Sequence, residues 1–251
     1  MFGDNRKTRA LKVLAVAAFV ALLPVFLIAA NASWVINTPP LYSYGFSKYR
    51  DQISYYLDIS DDELRSAGGQ IRDYFNNDEE ELAINVIVGG VRFDNLFNDR
   101  EVTHMKDVKG LVQGVDLIWK LSGLYLVVFA AVGLILWRRS FLRPLGRSVA
   151  IGGGATLALV ALVGLGSLAG FDRLFLAFHQ VSFSNDLWQL DPRTDALIAM
   201  FPQGFFFDAT ILIVGLTIVE ALLLLLVPTL LARRAARRAA LQPSRVSLEA
   251  R

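Results

Sequence analysis

LSGLYLVVFAAVGLILWRRSFLRPLGRSVAIGGGATLALVALVGLGSL, residues 121–168, is two apolar runs joined by a short basic turn. A helix needs roughly 20 apolar residues to cross a hydrocarbon core. The run at 148–168 meets that length. The run at 121–138 falls slightly short, and residues 115–120 can extend it into the headgroup layer. Outward along the chain, 11–31 and 209–232 are two further runs of the same kind. The whole sequence is 54% hydrophobic with a mean hydropathy of +0.45, above the roughly 45–50% apolar content of soluble domains. Four such segments predict a mainly α membrane protein built as a bundle of four transmembrane helices.

The charges orient that bundle. Lys and Arg gather at Arg6, Lys7, Arg9 and Lys12, at Arg138, Arg139, Arg143 and Arg147, and at Arg233, Arg234, Arg237 and Arg238. If all four segments cross, these three places share one side, and the positive-inside rule makes it cytoplasmic. The expected layout is a cytoplasmic N-terminus (1–10), a cytoplasmic loop (139–147) and a basic cytoplasmic tail (233–251). A small α/β extracytoplasmic domain (32–120) and a second extracytoplasmic loop with short interfacial helices (169–208) complete it. This describes a multi-pass protein of the cell membrane. The net charge of +2 conceals the asymmetry. The Arg runs read as topology anchors near anionic lipid and not as a nucleic-acid surface. A cleavable signal peptide ending near Ala30-Asn31-Ala32 is the rival reading of the first segment, but its apolar run exceeds the usual signal core. With no cysteine there is neither a disulfide nor a thiol nucleophile.

Within 32–120, Ser60-Asp61-Asp62-Glu63 is a capping box opening a helix that carries Leu64, Ile71 and Phe75. LAINVIV (82–88) and VRFDNLF (91–97) read as strands around a Gly89-Gly90 hairpin turn. Asn98 with Glu101 opens another helix towards the second span. Within 169–208, Phe171, Leu174, Phe175 and Phe178 recur at helical spacing and predict a surface-lying amphipathic turn or two. Asp191-Pro192 predicts an N-cap and first position for a short helix over 193–200. Trp188, Phe201 and Phe205–Phe207 fit an interfacial aromatic belt. In the spans, Gly152, Gly153, Gly154, Gly164 and Gly166 suggest close helix packing. Glu220, the lone acid of the fourth span, reads as a structural polar contact.

The chain holds two histidines. His104 lies in EVTHMKDVK (101–109) and His179 in FHQVSFSNDLWQLDPRTD (178–195), the densest polar-aromatic blocks of a greasy sequence. Both fall on the expected outer face. Histidine is the side chain whose unperturbed pKa suits proton transfer near neutral pH. Asp107, three residues beyond His104, shares its helix face and is placed to orient the imidazole. The bland alternative makes His104 a local packing residue and Lys106, Asp107 and Lys109 a solvated face. Neither histidine has a ligand-like spacing to the other, so no metal is expected. No HExxH, GxSxG or phosphate loop occurs.

FHQVSFSND, LW, LDPRTD, LI and MFP, preceded by EVTHMKDVK before the second span, resemble the bacterial lipoprotein intramolecular transacylases. The likeness extends over nearly the whole chain. In that family an acidic residue often follows the proline matching Pro202, where this chain has Gln203. The resemblance implies an acyltransferase acting on a diacylglyceryl lipoprotein among membrane lipids. It would move the acyl chain on the middle glycerol oxygen to the cysteine α-amino group, without cofactor. His179 would be general base and acid, and His104 would bind or polarise the carbonyl, though the two roles can be exchanged. Asp107 would hold His104, Asn185 would donate to the oxyanion, and Asp191 and Arg193 would support, with Arg193 meeting a carboxylate or phosphate. Both imidazoles are then expected within roughly 10 Å, around a cavity. Another lipid acyl transfer or hydrolysis, or a non-enzymatic scaffold with a partner-binding outer domain, would use the same features differently.

Overall fold

A computed structural model describes residues 6–241, apart from the side chains of 236 and 238–241. The ends of the expected cytoplasmic segments, 1–5 and 242–251, lie outside the described residues. Eight α-helices and one two-stranded sheet follow one another as α1 (Arg6–Asn37), α2 (Pro39–Lys48), α3 (Arg50–Tyr56), α4 (Asp61–Phe75), β1 (Val86–Val88), β2 (Val91–Phe93), α5 (Asp99–Trp137), α6 (Leu142–Ser182), α7 (Ala196–Met200) and α8 (Gln203–Leu241). The fold is that of a mainly α membrane protein with a small β element.

The long helices outrun the apolar segments that suggested them. Among the described residues, three helical stretches are long and apolar enough to cross a membrane: Arg6–Asn37, Asp99–Ser182 and Gln203–Ala235. The middle one contains both α5 and α6, joined by the 3-10 turn Arg138–Phe141, where Arg138 takes a positive φ of 49°. Most of the second loop (169–208) is therefore helical. α6 continues past a non-helical Gly170 to Ser182, and α8 begins at Gln203. The aromatic set at 171–178 lies on the helical stretch past this break, 171–182, which the kink at Gly170 sets off from the span before it.

The chain forms two compact units. Among the described residues, one comprises 6–27, 121–160 and 217–241, and the other 28–120 and 161–216. In the first, Phe19, Leu23, Leu27 and Leu126 form the core, and Tyr125 Oη donates to the Ala15 carbonyl at 2.9 Å. Glycine packing holds there at two positions. A Cβ on Gly152 would lie 2.6 Å from Leu23 Cδ2, and one on Gly153 2.9 Å from the Ala221 carbonyl oxygen. In the second unit Gly164 faces Val214 at 3.4 Å. Gly154 and Gly166 have nothing within 4 Å and do not serve as close-packing positions. Glu220 lines an apolar crevice of about 520 Å³ in the first unit, beside Phe19 and Leu23.

The second unit has its own apolar core, with Ile53, Leu64, Ile84 and Met200 inaccessible to solvent. α4 begins where the capping box predicts, with Ser60 Oγ accepting from Glu63 N at 3.2 Å. The reciprocal half is replaced: Glu63 Oε2 accepts from Ile87 N of β1 at 3.1 Å. The hairpin pairs Val86 with Phe93 and Val88 with Val91, and Gly89 and Gly90 take φ of 58° and 78°. Positive φ at both turn positions is what a two-residue hairpin of this hand requires. The strands are half the predicted length, because the Asn95 side chain binds back to the chain and its Oδ1 accepts from Ile84 N and Phe97 N. Phe201 and Phe205 are not a lipid-facing belt. They are 5% and 6% exposed and pack with Tyr42 and Phe46 of α2.

Candidate active site

The site lies wholly in the second unit and begins with the first turns of α5. Asn98 and Glu101 form a reciprocal capping box: Asn98 N donates to Glu101 Oε2 at 2.9 Å and Glu101 N to Asn98 Oδ1 at 3.1 Å. One turn further along the same helix, His104 is 5% exposed. His179, in the last turn of α6, is 7% exposed. Their ring centroids are 6.3 Å apart, well inside the distance anticipated from the sequence.

Aromatic rings enclose the pair. Phe175 lies 4.3 Å, Trp188 5.1 Å, Phe178 5.3 Å and Phe183 5.6 Å from the His179 centroid, and Phe183 stands edge-on 5.0 Å from His104. Such walls penalise a charged imidazolium. Burial pushes the His104 pKa down to about 4, aided by the charge His179 would carry and opposed by Asp107. Burial also lowers that of His179, against a hydrogen bond to the Phe175 carbonyl. Both histidines lie outside the apolar segments, and both are neutral at pH 7.

The hydrogen bond at His179 fixes its tautomer. Nδ1 lies 2.7 Å from the Phe175 carbonyl oxygen, one helical turn back. A carbonyl only accepts, so Nδ1 carries the proton and Nε2 keeps its lone pair. His104 is held differently. Its Nδ1 is buried and makes no hydrogen bond among the described residues.

Asp107 does not hold His104. Its Oδ2 accepts from Asn185 Nδ2 at 2.8 Å, while Asn185 Oδ1 accepts from Leu187 N at 3.1 Å. The two sequence-predicted supports therefore belong to one contact, which fastens the second histidine block to the first. Asp191 and Arg193 form an exposed pair, with Arg193 Nη2 2.5 Å from Asp191 Oδ2. The Arg193 side chain holds the Asp191 carboxyl down to about 2. Asp191 does not cap a helix at 193. Residues 192–194 form a turn, and α7 starts at Ala196 after Asp195.

Four residues beyond the expected set knit the blocks together. Glu101 Oε1 accepts from Leu197 N at 2.6 Å. Asn98 Nδ2 donates to Asp195 Oδ1 at 2.9 Å, and Asp195 Oδ2 accepts from Asp191 N at 2.7 Å. Arg100 donates to the carbonyls of Asp186 and Leu187 at 2.7 and 3.3 Å. The capping box was the available signal, since a carboxylate spending one oxygen on its own helix has another to offer. Lys109 is also buried, donating to Asn77 Oδ1 and the Glu79 carbonyl over the Tyr74 ring, so it is no part of a solvated face. A cavity of about 490 Å³ opens beside this cluster. It shares the Phe175 and Trp188 walls with His179, but neither imidazole lines it, so the cavity flanks the pair and does not surround it.

A sequence profile of the family described as Lipoprotein intramolecular transacylase Lit matches residues 17–206. The chain belongs to this family. The Lit match takes in both histidine blocks and the helices that carry them. A protein of Aquifex aeolicus (strain VF5), described as uncharacterized, is 28% identical over 136 residues, covering 51% of this chain and 55% of the relative. The match thus spans about half the length of that curated relative. The fold is also that of solved Lit structures. The membrane integral lipoprotein intramolecular transacylase Lit from Bacillus cereus aligns with a TM-score of 0.70 at 18% identity, covering 93% of this chain and 99% of its own. Two structures of variants of that protein, one histidine replaced by alanine or by arginine, align at 0.70 and 0.69 with 17% identity. Each covers 91% of this chain, and 96% and 95% of the variant chains.

Proposed function

We propose that this chain performs the intramolecular transacylation for which its family is named. The substrate is a membrane-anchored lipoprotein whose N-terminal cysteine carries a thioether-linked diacylglyceryl group. The cysteine α-amino nitrogen attacks the acyl carbonyl on the middle glycerol oxygen. An N–C bond forms, the acyl C–O bond breaks, and a proton passes from nitrogen to the departing glycerol oxygen. The product is N-acyl, S-monoacylglyceryl lipoprotein. An ester becomes an amide, so the transfer needs no energy source. Donor and acceptor are in one molecule, so orientation replaces much of the barrier.

The observation that carries this reading is the pair of buried imidazoles 6.3 Å apart in an aromatic enclosure. His179 Nε2, its lone pair fixed by the Phe175 bond, takes the ammonium proton and returns it to the leaving alkoxide. His104, with a buried ring nitrogen to spare, polarises the carbonyl as a hydrogen-bond donor. Asn185 supplies a second donor through the amide hydrogen not given to Asp107, the kind of contact worth about 3 kcal/mol at an oxyanion. We place four spans in the membrane, both termini in the cytoplasm and this site at the outer leaflet, on the charge pattern of the connecting segments.

The test is mass analysis of a diacylglyceryl lipopeptide incubated with the purified protein in liposomes, without ATP, thiol or metal and with chelator. Transacylation leaves total mass unchanged and moves one acyl chain onto the N-terminal fragment. Loss of an acyl mass would mean hydrolysis, and no change at all would overturn the reading.

A further inference from the structure

Glu101 is a buried carboxylate with no part in the proposed proton transfers, and its surroundings give it another task. An acidic residue in the first turn of a helix ordinarily faces water, where it complements the helix dipole. This one is 1% exposed. Burying a carboxylate is costly unless its oxygens are satisfied. Here Oε2 takes the Asn98 N–H of its own helix and Oε1 takes the Leu197 N–H of α7. Asn98 in turn binds Asp195. Segment 183–197 is thus fastened to α5 at Asp107, Arg100, Asn98 and Glu101, and it carries the Phe183 and Trp188 rings that close on the histidines.

We infer that Glu101 is a positioning residue for this reaction: it clamps segment 183–197 onto α5, holding Phe183 and Trp188 against His104 and His179. This rests on the two histidines being the reaction centre. The clamp needs acceptors on both sides of one side chain. Glutamine keeps the shape but turns one acceptor into a donor facing an N–H. Burial raises the Glu101 pKa, opposed by the Leu197 and Asn98 N–H groups and assisted by Asp195. Those N–H bonds favour the ionised form that supplies both acceptors.

The chain has two histidines, so ring-labelled protein gives two sets of imidazole signals. Glu101→Gln, folded and reconstituted, is expected to lose at least tenfold in kcat with KM within about twofold, since a misplacement of an ångström can cost that much or more. Both imidazole titration midpoints should rise towards the ordinary value near 6.5 as water enters the box. Asp107 and Arg100, the other charges facing His104, are unaltered in this variant. Asn98→Ala, at an exposed position, should move both readouts in the same direction by less, and serves if Glu101→Gln does not fold. Lys106→Ala, which breaks a surface pair with Glu80, should leave both unchanged. Wild-type kcat and unmoved midpoints in folded Glu101→Gln would overturn the inference. So would an activity loss that only tracks the folded fraction with midpoints unmoved. An active His179→Ala would instead sink the reaction centre, and the titration readout would still report on the clamp.

Discussion

His179 has little freedom to be anything but a base. Its Nδ1 proton is committed to Phe175, and the rings around it exclude the charged form until a proton arrives from substrate. His179→Ala is expected to lower turnover of the lipopeptide about 10²–10⁴-fold while leaving the protein folded and inserted. Full activity in that variant would end its proton-transfer role. Asp107→Asn and Asn185→Ala should each cost less, and their double variant no more than the worse single, because both break one contact. A double-variant rate equal to the product of the two single losses would show independent roles. The pH response follows from the lowered imidazole pKa values. Both histidines contribute stability that is present above the unfolded value near 6.5 and lost as pH falls from there towards about 4, where His104 finally protonates. Thermal unfolding should therefore be flat from pH 8 to 7 and fall between 6 and 4, and His104→Phe should flatten that fall. The histidines were legible in sequence because histidine is the side chain whose ordinary pKa suits proton transfer near pH 7, and the chain has two. The partner of Asp107 was not, because residues three apart on a helix face suggest a local contact and the real one lies 78 positions away.

Elements were legible where local chemistry set them. The Ser60 and Asn98 caps and the double-glycine turn sit where their residues predict, since each is decided within four positions of chain. What failed was length. The strands stop early because the Asn95 side chain ties up the Ile84 and Phe97 N–H groups, and the helical stretch past Gly170 runs on to Ser182, beyond the aromatic set that predicted it. α7 starts late because Asp191 and Asp195 spend their carboxylates on Arg193, Asn98 and the Asp191 N–H, leaving no side-chain cap for its first turn. α2 and α4 offer a test with opposite signs. A Cβ on Gly45 would stand 2.2 Å from Phe205 Cδ2, whereas one on Gly69 meets nothing within 4 Å. Gly45→Ala should destabilise by about 1–3 kcal/mol through overpacking. Gly69→Ala, relieving glycine's entropic cost in mid-helix, should stabilise by about 0.5–1 kcal/mol. Denaturation midpoints of the two variants on opposite sides of wild type would bear this out. A loss in both would mean that the α4 surface at Gly69 is not open.

For the whole molecule, the sequence offers charge bias and the structure offers adjacency, and the two constrain each other. By charge bias alone, 32–120 and 169–208 are each expected outside, on separate evidence. The Asn185–Asp107, Arg100–Asp186 and Leu197–Glu101 bonds remove that independence, because residues in direct contact share a side of the membrane. Reporter fusions at Asp78 and Asn185 should therefore agree with each other whatever the orientation, and fusions at Arg143 and Arg234 should agree on the opposite side. The positive-inside rule then predicts an external signal at both Asp78 and Asn185. Both reporting inside, with Arg143 and Arg234 outside, would overturn the orientation and leave the site intact on the other leaflet. A split between Asp78 and Asn185 is the more damaging result. It would require the membrane to pass between two halves of one hydrogen-bonded cluster, and the paired histidines could not then act on a single headgroup.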